Sequence, residues 1–316
     1  MKWKTLAASI GLFALGMAGA TAWRLSARES AALAAHPPTG QFVDVGGQKV
    51  HLVVQGSGPD LVLIHGASGN LRDFTMGLVD RLSGQYRVIA LDRPGLGYSD
   101  PMPNGDASVA GQARILRAAV AQLGVTRPIV LGQSYGGAVA LAWALQEQPA
   151  ALVLVSAVSM PWPGNLDPWY RLTSTALGRA TLVPLASAFV PHAYVGRAVE
   201  GVFAPDAPPE NYAQQLGVDL TLRRKALAAN VSQINSLRPE IVTMQQVYPS
   251  LSLPVELVHG DADTVVPLAI HAAKLTPLLP DANLTVLNGA GHMPHHTHPD
   301  VVIMAINRAA SRAGLH

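Results

Sequence analysis

The 316-residue sequence contains no cysteine. That single absence excludes disulfides, thiolate metal centres, a cysteine nucleophile and a lipid-modified N-terminal cysteine. It leaves the compartment open, because a cysteine-free protein works in either redox environment. Charge is scarce as well: 13% of residues are charged, and 22 basic residues nearly balance 20 acidic ones for a net +2. With no basic block in the chain, composition offers no electrostatic footprint for nucleic acid. Internal repeats and low-complexity tracts are missing too. What is abundant is apolar. A hydrophobic share of 49% rules out general disorder and suffices for a large core, at a length that suits one large domain with an insertion.

The N-terminus differs from the rest. Lys2 and Lys4 precede an uncharged, mostly apolar run from Thr5 to Trp23, closed by Arg24. Nineteen residues lie at the short end of what spans a bilayer core. A retained anchor is the favoured expectation. It would hold the rest of the chain on the periplasmic face of a bacterial inner membrane, with Lys2 and Lys4 in the cytoplasm. The rival is a cleaved signal peptide, with Ala18-Gly19-Ala20 or Ala20-Thr21-Ala22 as the small-residue cleavage site and a periplasmic or secreted product. On either reading residues 1–35 stand outside the fold, and His36-Pro37-Pro38-Thr39-Gly40 is a linker.

From Phe42 onward short β-rich runs alternate with helical patterns. A first pair of strands, 41–45 and 49–55, is joined by Gly46-Gly47, a hairpin signal. Apolar runs follow at 61–64, 87–91, 129–131, 151–156, 255–259 and 283–287. Continuous Val/Ile/Leu runs of this length suit strands buried on both faces of a parallel sheet. Helical patterns fall between them at 70–82, 109–123, 136–148, 267–279 and 300–313. The order predicts an α/β fold: a mostly parallel central sheet with helices on both faces. One stretch, 161–248, has no strand signal and carries scattered aromatics such as Trp162, Trp169 and Phe203. It is too long for a loop and reads as a helical insertion at the sheet's edge.

The strongest chemical signal is Gly132-Gln133-Ser134-Tyr135-Gly136, directly after the strand 129–131 and directly before a helix. A sharp strand-to-helix turn forces the middle residue into strain and lifts its hydroxyl above the carboxyl edge of the sheet. Small residues are required on both sides because a Cβ would clash with neighbouring backbone. The helix N-terminus beneath offers N–H groups to developing negative charge.

Serine is inert without a base. Among eleven histidines, His292 stands in the glycine-rich Asn288-Gly289-Ala290-Gly291-His292 just past the last strand, where it can reach back towards Ser134. His295, His296 and His298 follow; no carboxylate or thiolate pattern accompanies them in the sequence, so no metal is expected. His65 and His259 end strands and are expected to be satisfied by local hydrogen bonds. The orienting acid belongs after a strand, between serine and histidine. Asp261 and Asp263 both qualify. Asp263 is favoured because it stands further into the loop, with Asp261 holding the turn.

The order Ser134, Asp263, His292 and the whole segment from about Gly40 onward resemble the α/β-hydrolase superfamily. His65-Gly66-Ala67 resembles its H-G-x oxyanion motif, and Asp92-Arg93-Pro94-Gly95-Leu96-Gly97-Tyr98-Ser99 its D-x-x-G-x-G-x-S segment, which is read as structural. The resemblance implies an α/β-hydrolase core at 36–160 and 249–316, with 161–248 as a helical cap that roofs the site. It further implies an oxyanion hole made by the backbone N–H groups of Ala67 and Tyr135, and acyl transfer through a covalent intermediate without a cofactor. A carboxylic ester, with an apolar small molecule as substrate, is the leading expectation. Carbon–carbon bond hydrolases, thioesterases and perhydrolases share the triad; dehalogenases and epoxide hydrolases carry aspartate where Ser134 stands. A non-catalytic binding protein is the remaining alternative, disfavoured because all three triad positions are filled.

Overall fold

The computed structural model describes residues 2–315. A long helix, α1 (Lys2–Ala35), leads into eight strands: β1 (Gln41–Val45), β2 (Gln48–Gln55), β3 (Asp60–Ile64), β4 (Arg87–Leu91), β5 (Ile129–Gln133), β6 (Ala151–Val155), β7 (Val255–Gly260) and β8 (Ala282–Leu287). They form one sheet in the order β1-β2-β4-β3-β5-β6-β7-β8. β1 and β2 make the antiparallel hairpin around Gly46-Gly47, and β2 runs antiparallel to β4. From β4 to β8 every pairing is parallel. Alternate side chains of one strand enter opposite cores, which is why the runs are continuously apolar. Leu61 and Leu63 of β3 pack on one face, Val62 and Ile64 on the other.

Helices cover both faces. α2 (Arg72–Thr75) and α3 (Leu78–Leu82) lie on the face of Leu61 with the C-terminal helix; α4 (Val109–Ala121) and α5 (Tyr135–Gln146) lie on the other. The single helix expected over 70–82 is two short ones, parted at Gly77, whose φ of 173° is extended. Between β6 and β7 come only helices and turns: α6 (Pro168–Thr173), α7 (Ala176–Phe189), α8 (His192–Phe203), α9 (Tyr212–Leu216), α10 (Val218–Leu222) and α11 (Arg224–Met244). The second half of α11 is not detached from the body, since Leu237 and Ile241, with Tyr248 beyond them, join the main core. After β7, the helix expected over 267–279 shrinks to α12 (Ala272–Leu275) and a single 3₁₀ turn, because Pro277 cannot continue the ladder. α13 (Pro294–Thr297) and α14 (Pro299–Arg312) close the chain.

The expectation that residues 1–35 stand outside the fold needs correction. The later turns of α1 pack on α7 and α10, burying Thr21 and Ala32. Arg24 Nε donates to the carbonyl of Ala188 (2.8 Å), and Arg28 Nη1 to those of Ser187 (3.2 Å) and Val190 (3.1 Å). These carbonyls belong to the end of α7, where helical geometry leaves them without partners. Two arginines therefore cap α7 from a neighbouring helix. Among the described residues no helix is long and apolar enough to cross a membrane. Of the run 5–23 expected to do so, the side chains of Leu6, Ala7, Ala8, Ile10, Phe13 and Ala14 lie outside the described residues.

Candidate active site

Parallel pairing aligns the carboxyl ends of β3, β5 and β6, with Ile64 opposite Gly132 and Gln133 opposite Val155. Ser134, the next residue, opens α5 with φ +52° and ψ −119°. Such a conformation costs an L-residue on the order of 1–3 kcal/mol and persists only where surroundings over-determine it. Here its N–H donates to Val155 O (2.9 Å), and its carbonyl accepts from Gly137 N–H and Val158 N–H, each at 3.0 Å. A Cβ on Gly132 would collide with the carbonyl of Gly136, and a Cβ on Gly136 with the carbonyls of Ile64 and His65. The two glycines are thus required by close backbone approach, not by flexibility.

The same approach brings the His65-Gly66-Ala67 loop against the elbow. A Cβ on Gly66 would collide with the Gln133 side chain and sit 3.2 Å from Ser134 Cβ. His65 is fully buried and bonded at both nitrogens: Nε2 accepts from Arg93 N–H (3.0 Å), and Nδ1 faces Gly66 O (2.9 Å). Burial, with the adjacent Arg93 charge, pushes His65 down to about 4, so it serves as a neutral strut.

At the far side of the edge, the loop after β7 carries Asp263 and the loop after β8 carries His292. His292 Nδ1 lies 2.7 Å from Asp263 Oδ2, with both side chains almost wholly buried. The other carboxylate oxygen accepts from Val265 N–H (2.9 Å) and Val266 N–H (2.8 Å). His259 Nε2 stands 3.4 Å from Asp263 Oδ2 and 2.7 Å from Val266 O. Burial alone would raise the Asp263 carboxyl, but hydrogen bonds from His259 and His292, the His292 charge and the Val266 N–H outweigh it and hold the group well below the usual carboxylate range. Asp261 points elsewhere, accepting from Gly289 N–H (2.7 Å) and so tying the two loops together. The histidine loop also meets the elbow, since the Gln133 side-chain nitrogen lies 3.5 Å from His292 Nε2.

Comparison with known proteins decides the family. A family model described as alpha/beta hydrolase family matches residues 61–305. The chain belongs to that family. An uncharacterized protein of Mycobacterium tuberculosis is 31% identical over 281 residues, covering 86% of this chain and 81% of its own. The 2-hydroxymuconate semialdehyde hydrolase of Pseudomonas putida is 28% identical over 280 residues, covering 84% and 91%. Among solved structures, the esterase RhEst1 from Rhodococcus sp. ECU1013 superposes with a TM-score of 0.66 at 24% identity, covering 85% of this chain and 98% of that one. The chain is therefore an α/β-hydrolase enzyme.

Two features of this hydrolase's site escaped the sequence reading. Arg93 is fully buried. Its Nε donates to His65 O and one Nη to Gly66 O, each at 2.9 Å, while the other Nη donates to Gln112 and Gln233. The guanidinium also stacks on the Tyr135 ring at 4.2 Å. Burial pushes it down only to about 10, so it remains a cation. One side chain thus fixes the loop on one side of Ser134 and touches the residue on the other. Its neighbour Asp92 shapes the tight loop read as structural, accepting from Leu71 N–H (2.7 Å) and Tyr98 N–H (2.8 Å). A buried arginine looks like any charged residue in sequence; only the D-x-x-G-x-G-x-S match marked the region.

The second feature is a correction. His295 and His296 were expected to lack an accompanying carboxylate, yet Asp73 from α2 faces both, 3.1 Å from His295 Nε2 and 2.8 Å from His296 Nε2. His298 is turned away, towards Thr297.

Proposed function

We propose that this hydrolase cleaves a carboxylic ester through an acyl-enzyme, with Ser134 as nucleophile, His292 as general base and Asp263 as the acid that orients it. The observation carrying this reading is the buried 2.7 Å contact of His292 Nδ1 with Asp263 Oδ2 at the same sheet edge as the strained Ser134. With Nδ1–H donated to the carboxylate, Nε2 is the free base. Ser134 Oγ attacks the ester carbonyl carbon as its proton passes to His292 Nε2. The tetrahedral oxyanion accepts from Ala67 and Tyr135 N–H, on the two segments that Gly66 and Gly136 press together; one such donor is worth on the order of 3 kcal/mol. The C–O bond then breaks, the alcohol leaves with the proton from His292, and water releases the acid by the same steps.

The stretch 161–248 acts as a cap in this reading. Asp206 accepts from Gly291 N–H (2.8 Å), Asn230 accepts from Ser68 N–H (2.8 Å) and Gln233 bonds Arg93, so the insertion touches the loops that carry His292, Ala67 and Arg93. The substrate class proposed is a small, apolar ester. The N-terminal run, kept as an anchor, would present the enzyme on the periplasmic face of the inner membrane, with α1 tying the cap to the bilayer.

Hydrolysis of a carbon–carbon bond is the second reading, favoured by the 28% identity to a 2-hydroxymuconate semialdehyde hydrolase. A panel of p-nitrophenyl esters of graded acyl length separates them. Ester turnover that disappears in Ser134→Ala supports the first reading. Inertness towards every ester, with turnover of a vinylogous diketone, transfers the assignment to the second.

A further inference from the structure

We propose that Asp73, His295 and His296 form a binding site for one divalent late-transition ion, zinc foremost, distinct from the triad. Asp73 stands on α2, and the histidines on α13, just beyond His292. One ligand atom from each lies within 4.8 Å of the others. The separations already present, 3.1 and 2.8 Å from carboxylate oxygens to the two Nε2 atoms, approach the roughly 3.3 Å edge of a tetrahedron built on metal–ligand bonds of about 2.0–2.1 Å. Two imidazoles and a carboxylate are a donor set that zinc accepts, leaving a fourth position for water.

Three observations favour an ion over a hydrogen-bonded cluster alone. All three side chains are more than nine-tenths buried, with exposures of 4%, 0% and 8% for Asp73, His295 and His296. Among the described residues no lysine or arginine pairs with Asp73, so neutral imidazoles would leave its buried charge uncompensated, a costly arrangement. A divalent cation removes that cost. The surroundings are those of a supported site: Tyr212 of α9 donates its hydroxyl to Asp73 Oδ1 (2.7 Å), orienting the carboxylate, and the rings of Phe74 and Phe203 enclose the histidines. His295 Nδ1 is buried without a hydrogen-bond partner, so the hydrogen bonding of this imidazole runs through Nε2. Bound there, the ion would pin the loop bearing His292 to α2 and, through Tyr212, to the insertion.

The test uses untagged full-length protein, stripped with chelator and dialysed against low-micromolar zinc chloride, with metal measured by mass spectrometry. About one zinc per chain is expected, along with the visible absorption of tetrahedral cobalt(II) when cobalt replaces it. His296→Gln and the His295→Gln/His296→Gln pair should lose the metal. Tyr212→Phe should weaken zinc about 10–100-fold, as loss of a supporting contact does. His298→Gln and His292→Gln should bind as the parent does. Should the double variant unfold, as judged by circular dichroism, His296→Gln and Tyr212→Phe carry the test. A parent that retains no zinc overturns the proposal, as does zinc that survives His296→Gln or vanishes with His292→Gln.

Discussion

His292 presents Nδ1 to Asp263 Oδ2 at 2.7 Å, whereas Asp261, two residues earlier, spends its carboxylate on the Gly289 N–H. The two aspartates therefore differ in what their amides would do. Asp263→Asn should lower kcat by about 10⁴-fold with the fold retained, because the imidazole loses the charge that fixes its tautomer; that size of loss is known for the same change in a serine protease. Asp261→Asn should cost stability and leave kcat within a few-fold. Steady-state kinetics alongside urea unfolding reads both, and an inactive, normally stable Asp261→Asn would reverse the assignment.

Acid should destabilise the protein through buried histidines outside the proposed triad, two of which accept backbone N–H groups. His65 Nε2 accepts the Arg93 N–H, and His271 Nδ1 accepts those of Ser159 and Met160, each at 3.2 Å. Protonation would set N–H against N–H. Both are pushed down to about 4, chiefly by burial, aided by the Arg93 charge for His65 and that of His259 for His271. The unfolded chain, with histidine near 6.5, binds more protons between those limits, so stability falls as pH drops from about 6.5 to 4 and these groups add nothing further below it. Melting temperature against pH should show that slope, and His271→Gln should flatten it. A melting temperature constant from pH 7 to 4.5 would contradict this assignment.

Arg93 should resist replacement by lysine. An ammonium cannot reach the carbonyls of His65 and Gly66, the two glutamines and the Tyr135 face together. Arg93→Lys should cost on the order of 3 kcal/mol from buried acceptors left unpaired. It should also lower kcat by loosening the Ala67 loop. Denaturant unfolding showing less than about 1 kcal/mol of change would mean that the arginine is not the strut described.

The N-terminal run is tested by fractionation with N-terminal sequencing. Recovery in the membrane pellet with Lys2 retained supports the anchor. A soluble product beginning near Thr21 or Trp23 supports cleavage, and would also remove the start of the helix that carries Arg24 and Arg28 to α7. A full-length cytoplasmic form would contradict both.

The parts of this molecule that sequence made legible are those whose reason is local. Gly132 to Gly136 announce the elbow because the strand-to-helix turn they build is local, and the central strands announce themselves because both faces are buried. Asp73 was invisible as a partner of His295 because 222 positions separate them and only the sheet's crossover brings α2 to α13. Arg93 was hidden for a different reason: its burial rests on acceptors drawn from the loop after β3, α4 and α11 at once. Arg24 reads as the charge that closes a membrane segment; that it and Arg28 cap a helix more than 150 residues away follows from packing alone. The break at Gly77 shows the opposite error, a helical period that backbone geometry interrupts.

The central claim is that Ser134 is the nucleophile, and covalent labelling addresses it most directly. Full-length protein treated with a fluorophosphonate should gain one adduct by intact mass, mapped by peptide sequencing to Ser134. Ser134→Ala, with an unchanged circular dichroism spectrum, should gain none. An adduct on another serine, or undiminished labelling of Ser134→Ala, would contradict the account.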